Sequence, residues 1–562
     1  MLSKLFNQKY NTLFFLLGLI IFSGLNLFSA ACTELHFDEA YYNFWSQSFS
    51  FGYFDHPPMI AWLIMAGKFL FPGEIGIRIF IVLLSALSMI LLWLMIRQYN
   101  ANALIFWSLI FSIGLIHPYS FIATPDAPLF FFTALFFYLL CRYLKNNNFQ
   151  NTILIAFAIA LTIYSKYHAF LVIALVIIAN LKLLKRFSSW TILLFTLLYL
   201  APHIYWQYEN DFPTLSYHLT ESHQTQYNPL ETINYILSEL AVTGPLLGWF
   251  FLYILFTIKP QNQWEKTLKI SGAGIFIFFL LATFAGDFEA HWTLAAIIPL
   301  FILSYRYVSE NQQWQKWVMI SGIINFVLML ALRIIIASPN SGNIKALAHF
   351  SHNRDNAYLI SNYAGNKPVL FQDDWIDASL HQYYSGNSKT ASLNSGFYRR
   401  NQYDIADIDE QLSDASVVVL TRDSLQFKDY QRIVTKRKTF YAKTIPNFRS
   451  YYNIKMKLED VNITDNSLSI NVLLNNPYAK DIAFGDKDQT QSWFQLWTKK
   501  GKKWVLIDEK ETGLMNLHTN DNINQRIDFR VDTNILSDQK IYLMLKIGEL
   551  KPLPSKCLIK LQ

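Results

Sequence analysis

Charge is scarce in this sequence. Only 15% of its 562 residues are Asp, Glu, Lys or Arg, where about a quarter is usual for a soluble chain. Cysteine is nearly missing too, with 3 residues at Cys32, Cys141 and Cys557. Their spacing forms no metal-ligand pair and no disulfide framework, so we read them as unpaired thiols. There is no internal repeat, which argues against solenoids and against the duplicated halves common in secondary transporters. There is no low-complexity tract. The net charge of +7 comes in no basic stripe and gives no nucleic-acid signal.

What is abundant is apolar sequence, 52% of the chain, and it is unevenly placed. Residues 10 to 338 hold one apolar run after another, and residues 339 to 562 read as soluble protein. The first run, "NTLFFLLGLIIFSGLNLFSAAC" from Asn11 to Cys32, is longer than the apolar core of a signal peptide. It matches the roughly 20 residues that cross a bilayer, so we expect it to be a retained helix. Ten further spans are predicted near 77–96, 102–119, 127–144, 151–165, 168–184, 190–206, 235–258, 269–286, 292–307 and 315–337. The expectation is a polytopic α-helical membrane protein with about eleven spans.

Basic residues orient the chain. With the N-terminus inside, the inner segments carry Lys4, Lys9, Arg97, Arg142, Lys145, Lys182, Lys185, Arg186, Lys259, Lys266, Lys269, Arg306 and Lys316. The outer short segments carry Lys68 and Lys166, with Arg78 at the mouth of the second span. The loop 33–76 and all residues after 338 then lie outside. We divide the chain into a transmembrane catalytic domain, 1–338, a mixed α/β region, 339–450, and a β-sandwich-like domain, 451–562. "KPVLFQ" and "SVVVLTRD" read as strands, "WIDASLHQYYSG" as a helix, "SLSINVLLN" as an alternating strand and "SWFQLWTKKGKKWVLID" as two strands across a glycine turn.

On this topology the membrane-proximal acids and histidines share one face. Asp38, Glu39, Asp55 and His56 fall outside, as do Asp126, Lys166, His168, His218, Glu221, His223, Asp287, Glu289, His291 and Trp292. Ionisable groups near lipid are costly and normally face an interior or a water-filled cavity. Segments hundreds of residues apart therefore point to one composite site opening outward. Several members have bland alternatives. Asp126 suits a helix N-cap, Lys166 can snorkel, and the aromatics of the first loop, Tyr41 among them, can form an interfacial belt. The adjacent pair Asp38–Glu39 has no such ready role.

Outside the cell no nucleotide sugar is at hand, so an activated sugar must arrive on a lipid. Transfer from a polyprenyl phosphate needs a carboxylate to take the acceptor's proton and cations or donors to stabilise the leaving phosphate. Asp38 can supply the first. Lys166, Arg78 and His56 are candidates for the second. A glycan transporter and a membrane-anchored binding scaffold are the competing classes. A transporter would place polar groups at the midplane or on both faces, and a scaffold leaves the first loop unexplained.

"LHFDEAYY" resembles the first external loop motif of the dolichyl-phosphate-mannose protein mannosyltransferases. "YFDHPPMIAWL", "TPDAPLFFF", "SKYHAFLV" and "EAHWTLAAIIPL" resemble the bacterial branch of that family, which is similar to the lipid A aminoarabinose transferase. The resemblance spans about residues 10–410. It implies the GT-C fold, a polyprenyl-phosphate sugar donor and inversion at the anomeric carbon by direct displacement. It implies Asp38 as general base and Glu39 as its motif neighbour at the catalytic site. Lys166 matches a phosphate-binding lysine. Asp55 and His56 lie where that relative has a metal-binding acid and a phosphate-binding lysine, and His223 is matched to its metal-binding histidine. Zinc or manganese is the implied ion, and the protein mannosyltransferases do not call for one. Asp126, His291, Trp292 and Tyr41 complete the expected substrate site. Lipid A or lipopolysaccharide is the leading acceptor, with a protein hydroxyl or another envelope glycan as the alternative. The implied location is a bacterial inner membrane, with the N-terminus cytoplasmic and the C-terminal regions periplasmic.

Overall fold

The computed structural model describes residues 2–559 apart from 215, 217–226, 287, 407–411, 413, 465–466, 485–489, 502, 515 and 532–539. His218, Glu221, His223 and Asp287 therefore lie outside the described residues. The chain forms two compact units, Met1–His352 and Asn353–Gln562.

The first unit is helical. Its opening helix, Leu2–Cys32, runs 31 residues, about 46 Å at 1.5 Å per residue. Among the described residues six helices are long and apolar enough to cross a membrane: Tyr10–Cys32, Gly73–Tyr99, Asp126–Lys145, Phe187–Glu209, Ala290–Glu310 and Gln312–Ala337. The span expected at 269–286 falls on the unbroken helix Gln263–Ala282, and the other expected spans consist of shorter or broken pieces. Phe149–Ser165 and Ala169–Ala179 are 17 and 11 residues long. The helix Ala103–Ser112 stops short of the expected 119, and the chain turns at Gly114, where Leu115 N–H is taken by the carbonyl of Val242 at 2.9 Å.

The single span expected at 235–258 is corrected to two helices, Pro229–Thr243 and Gly248–Thr257, bent by 99°. Pro245 cannot continue the ladder, and Gly248 crosses so closely that a Cβ would stand 1.9 Å from the carbonyl of Leu240. The most enclosed helix is Ile297–Glu310, whose side chains from Ile297 to Arg306 are all buried. Its Arg306 donates to Glu265 at 2.5 Å and to the carbonyl of Lys259 at 2.9 Å. Tyr99 also donates to Glu265, at 3.0 Å. These bonds tie three segments together at the end of the bundle that carries the basic loops.

The expected domain boundary at 338 moves to 352. The 3₁₀ turns Pro339–Asn343 and Lys345–Phe350 belong to the helical unit, and His349 and Phe350 pack on His36. In the second unit, strands β1 (Val369–Gln372), β2 (Thr390–Leu393), β3 (Val417–Thr421), β4 (Gln431–Val434) and β5 (Thr439–Ile445) form one sheet in the order β2-β1-β3-β5-β4. The first three are parallel, and β5 runs antiparallel to β3 and β4. The expected helix is Trp375–Ser385. A four-stranded and a three-stranded antiparallel sheet follow, sharing a core of Leu468, Ile470, Val472, Phe494, Leu496 and Leu543. The alternating strand is Ser467–Asn475, and the glycine hairpin joins Ser492–Lys500 to Lys503–Glu511 at Gly501, φ +61°. All three cysteines are free thiols.

Candidate active site

The site is built on the short helix Phe37–Trp45. His36 is its N-cap, and the Glu39 carboxylate accepts the His36 N–H at 2.9 Å, closing a capping box. Glu39 does more than cap. Its two oxygens take Arg78 Nε at 2.7 Å and Nη2 at 2.6 Å, and Oε1 also accepts the N–H of Ala123 at 2.8 Å. Arg78 further donates to the carbonyls of Ala30, Thr33 and Glu34 and to the hydroxyl of Thr33, at 2.8–3.1 Å. Neither side chain has any exposed surface.

Two expectations are corrected here. Arg78 has its guanidinium enclosed and committed to protein acceptors, so it is not placed to meet a donor phosphate. Glu39, expected at the catalytic site beside Asp38, is saturated with donors and fixes the loop. The pairing was hidden in the sequence because the partners are 39 residues apart.

Asp38 is different. Its side chain is 32% exposed, and its ion-pair neighbour is His36 Nδ1 at 3.4 Å. No lysine or arginine among the described residues pairs with it. Adjacent carboxylates therefore divide into one locked in the scaffold and one partly exposed.

Lys166 is buried and bidentate to Asp126, with Nζ 2.9 Å from each oxygen. Asp126 is the first residue of its helix, and its carboxylate holds Lys166 rather than capping that helix. His291 Nε2 lies 3.7 Å from the same carboxylate and is within electrostatic reach of Asp38. Trp292 packs on His168 with ring centroids 5.6 Å apart. His168, from the Lys166 segment, completes this wall. Its Nδ1 is buried without a partner.

Asp55 accepts the hydroxyl of Tyr41 at 2.8 Å. Tyr41 is 2% exposed, so it acts as a brace for Asp55 and is not a substrate wall as expected. Burial pushes the imidazole of His56 down to about 4. The charge of Lys166 works in the same direction, and Asp55, Asp126 and Asp38 oppose it. His56 is neutral at physiological pH, so of the two expected kinds of group it is a hydrogen-bond donor and not a cation. Among the described residues no three His, Cys, Asp or Glu side chains converge as a metal site would require, and His223 lies outside them.

The structure thus gathers Asp38, Asp55, His56, Asp126, Lys166, His168 and His291 from four separate segments. A partly exposed carboxylate and a buried ammonium share one cluster, the pair of groups that acid–base and leaving-group stabilisation need.

Comparison with known proteins bears on the fold. Residues 55–206 match the family model described as dolichyl-phosphate-mannose-protein mannosyltransferase. A lipid A galacturonosyltransferase, RgtD of Rhizobium johnstonii, is 22% identical over 342 residues, 58% of this chain and 72% of that protein. The crystal structure of ArnT from Cupriavidus metallidurans in the apo state superposes with a TM-score of 0.58 at 12% identity, covering 78% of this chain and 98% of ArnT. The same protein bound to undecaprenyl phosphate gives a TM-score of 0.53 at 12% identity, covering 77% of this chain and 98% of that one. With its multi-pass helical unit and strand-rich C-terminal unit, the chain has the fold of the GT-C membrane glycosyltransferases.

Proposed function

We propose that this enzyme moves a sugar from a polyprenyl-phosphate donor to lipid A on the outer face of a bacterial inner membrane, with its N-terminus cytoplasmic. The observation that carries the reading is the contrast between the neighbours Asp38 and Glu39. One is partly exposed, and the other is buried and held by Arg78. Only the open carboxylate can reach an acceptor hydroxyl. Asp38 takes the hydroxyl proton as that oxygen attacks the anomeric carbon. The bond from carbon to the phosphate oxygen breaks, and polyprenyl phosphate leaves with its new charge met by Lys166. Asp126 holds the ammonium in place, and neutral His56 donates a hydrogen bond. A single displacement inverts the anomeric centre.

The donor is supported by the undecaprenyl phosphate in the ArnT complex, and the acceptor by the lipid A galacturonosyltransferase. A zinc or manganese ion at Asp55 and His223 is a separate proposal. Carboxylate and imidazole suit either ion, yet the displacement needs neither, and no step is routed through one. The family model's description favours a second acceptor, a protein hydroxyl.

Mass spectrometry of lipid A from cells with and without the gene tests the reading. A hexose, hexosamine, pentose or uronic acid missing from the deletion strain's lipid A names sugar and acceptor together. Unchanged lipid A with a lost protein-linked sugar would move the activity to the second acceptor.

A further inference from the structure

We propose that His36 receives the proton that Asp38 takes from the acceptor, and so restores the base for the next turnover. The inference rests on the reading of Asp38 as general base. His36 Nδ1 has two possible partners and can serve only one at a time. It accepts the backbone N–H of Asp38 at 3.4 Å, which is the helix cap, and it stands 3.4 Å from Asp38 Oδ2. A ring nitrogen that accepts an N–H carries a lone pair, so the capping tautomer presents an unprotonated Nδ1 to the carboxyl group.

The step balances without any co-reactant. The acceptor's O–H proton passes to Asp38. The Asp38 O–H bond then breaks as an N–H bond forms at His36 Nδ1. The carboxylate is regenerated, and the imidazole becomes imidazolium. The protonated nitrogen can no longer accept the backbone N–H, so the cap opens as an Nδ1–H to Oδ2 hydrogen bond replaces it. The ring then loses a proton to water. Its side chain is 21% exposed, so solvent reaches it.

The surroundings suit a group that changes charge. The ring packs against Phe37 at 4.0 Å, Phe350 at 5.3 Å and His349 at 5.8 Å between centroids. Aromatic faces tolerate a cation. Asp38 and Glu39 on its own helix supply negative charge, with Glu39 bound to the His36 backbone N–H. His349 is the titratable residue packed on it from the turn Lys345–Phe350. Histidine is the side chain whose ordinary titration falls near neutrality.

The test is His36→Asn in purified enzyme, assayed for kcat and donor KM from pH 5 to 8, beside wild type and Asp38→Asn. Asparagine is a good N-cap and keeps the helix start while removing the titrating ring. The expected result is a kcat lowered roughly 10-fold, less than the ~10²–10⁴ of losing the base itself, with donor KM unchanged. The acid-side fall of kcat expected in wild type should vanish in the variant, and added imidazole should restore part of the rate. A variant with wild-type kcat and an unaltered pH profile overturns the inference. So does a wild-type profile with no ionisation between pH 5 and 8, whether or not the variant folds. If Asp38→Asn stays active, the general-base reading has failed; if it is dead and His36→Asn is normal, only the role of His36 has.

Discussion

The Glu39 carboxylate and the Arg78 guanidinium face each other through two parallel hydrogen bonds, 2.7 and 2.6 Å long, with no exposed surface on either partner. Removing one member of such a pair leaves a buried, uncompensated charge, which costs about 3–5 kcal/mol. Arg78→Ala should therefore lower the thermal midpoint in detergent and reduce the inserted protein recovered from membranes. Replacing Glu39 as well should recover part of that loss. The measurement is unfolding by intrinsic fluorescence. A stable Arg78→Ala protein that has lost only donor affinity would return this arginine to the phosphate.

Asp38→Asn should behave in the opposite way. The side chain is partly exposed and has no lysine or arginine partner, so the fold should not feel its loss. The rate should fall ~10²–10⁴-fold, with the thermal midpoint close to wild type. Turnover of a synthetic polyprenyl-phosphate sugar reads the first, and a melt reads the second. Near-normal turnover would exclude Asp38 as the base.

Lys166 and Asp126 form one unit, since each Asp126 oxygen lies 2.9 Å from the ammonium. Lys166→Ala should raise donor KM and lower kcat together, because the leaving phosphate loses its cation and Asp126 is left buried and unpaired. Lys166→Arg should keep part of the rate, as the planar fork places the charge differently. Asp126→Asn should weaken donor use by a smaller factor, since the amide oxygen can still accept from the ammonium. Equal donor affinity in Lys166→Ala and wild type would reduce Lys166 to a structural partner of Asp126.

Chelation addresses the proposed ion at Asp55 and His223. Asp55 accepts a hydrogen bond from Tyr41 at 2.8 Å, and the proposed displacement relies on Lys166 and His56. Elemental analysis should find about one equivalent of zinc or manganese in the purified protein, and its removal by dialysis against EDTA should leave activity unchanged, since the proposed displacement does not pass through the ion. Activity lost on chelation and restored by one of these metals, but not in Asp55→Asn, would establish a metal-dependent enzyme.

Much of the site could be read before folding because membrane topology sorts residues. Once basic loops orient the spans, Asp38, Asp55, Asp126, Lys166 and His291 fall on one face, and the structure brings them together. Pairing within the cluster was not legible. Arg78 and Glu39 look alike in sequence to Lys166 and Asp38, since each is a charge at the outer end of a span. Only the packing of Gly73–Ile96 against the first helix shows that Arg78 and Glu39 are enclosed together. The break at Gly244 escaped for a related reason. The run 235–258 is mostly apolar, and hydropathy does not register a close backbone crossing. In the second unit, alternation at Leu468, Ile470 and Val472 marks a strand with one buried face, and the structure bears that out.

His56 carries the pH prediction. Its imidazole is held down to about 4 by burial, with Lys166 adding to the effect, against an ordinary value near 6.5. A depressed histidine binds fewer protons folded than unfolded between those two values. Stability should accordingly be flat above about pH 6.5 and decline as pH falls toward 4. His56→Gln should remove this part of the decline, so that its melting midpoint changes less than that of wild type between pH 7 and pH 4.5. The same neutrality bears on catalysis. If His56 met the phosphate as a cation, wild-type activity would drop as pH rises from 6 to 8 and the charge disappeared. A neutral donor predicts no such alkaline loss and predicts that His56→Gln, whose amide can donate in its place, keeps a substantial fraction of the rate. Assays at pH 6, 7 and 8 separate the two, and a steep fall above pH 7 that disappears in His56→Gln would show that the ring works charged.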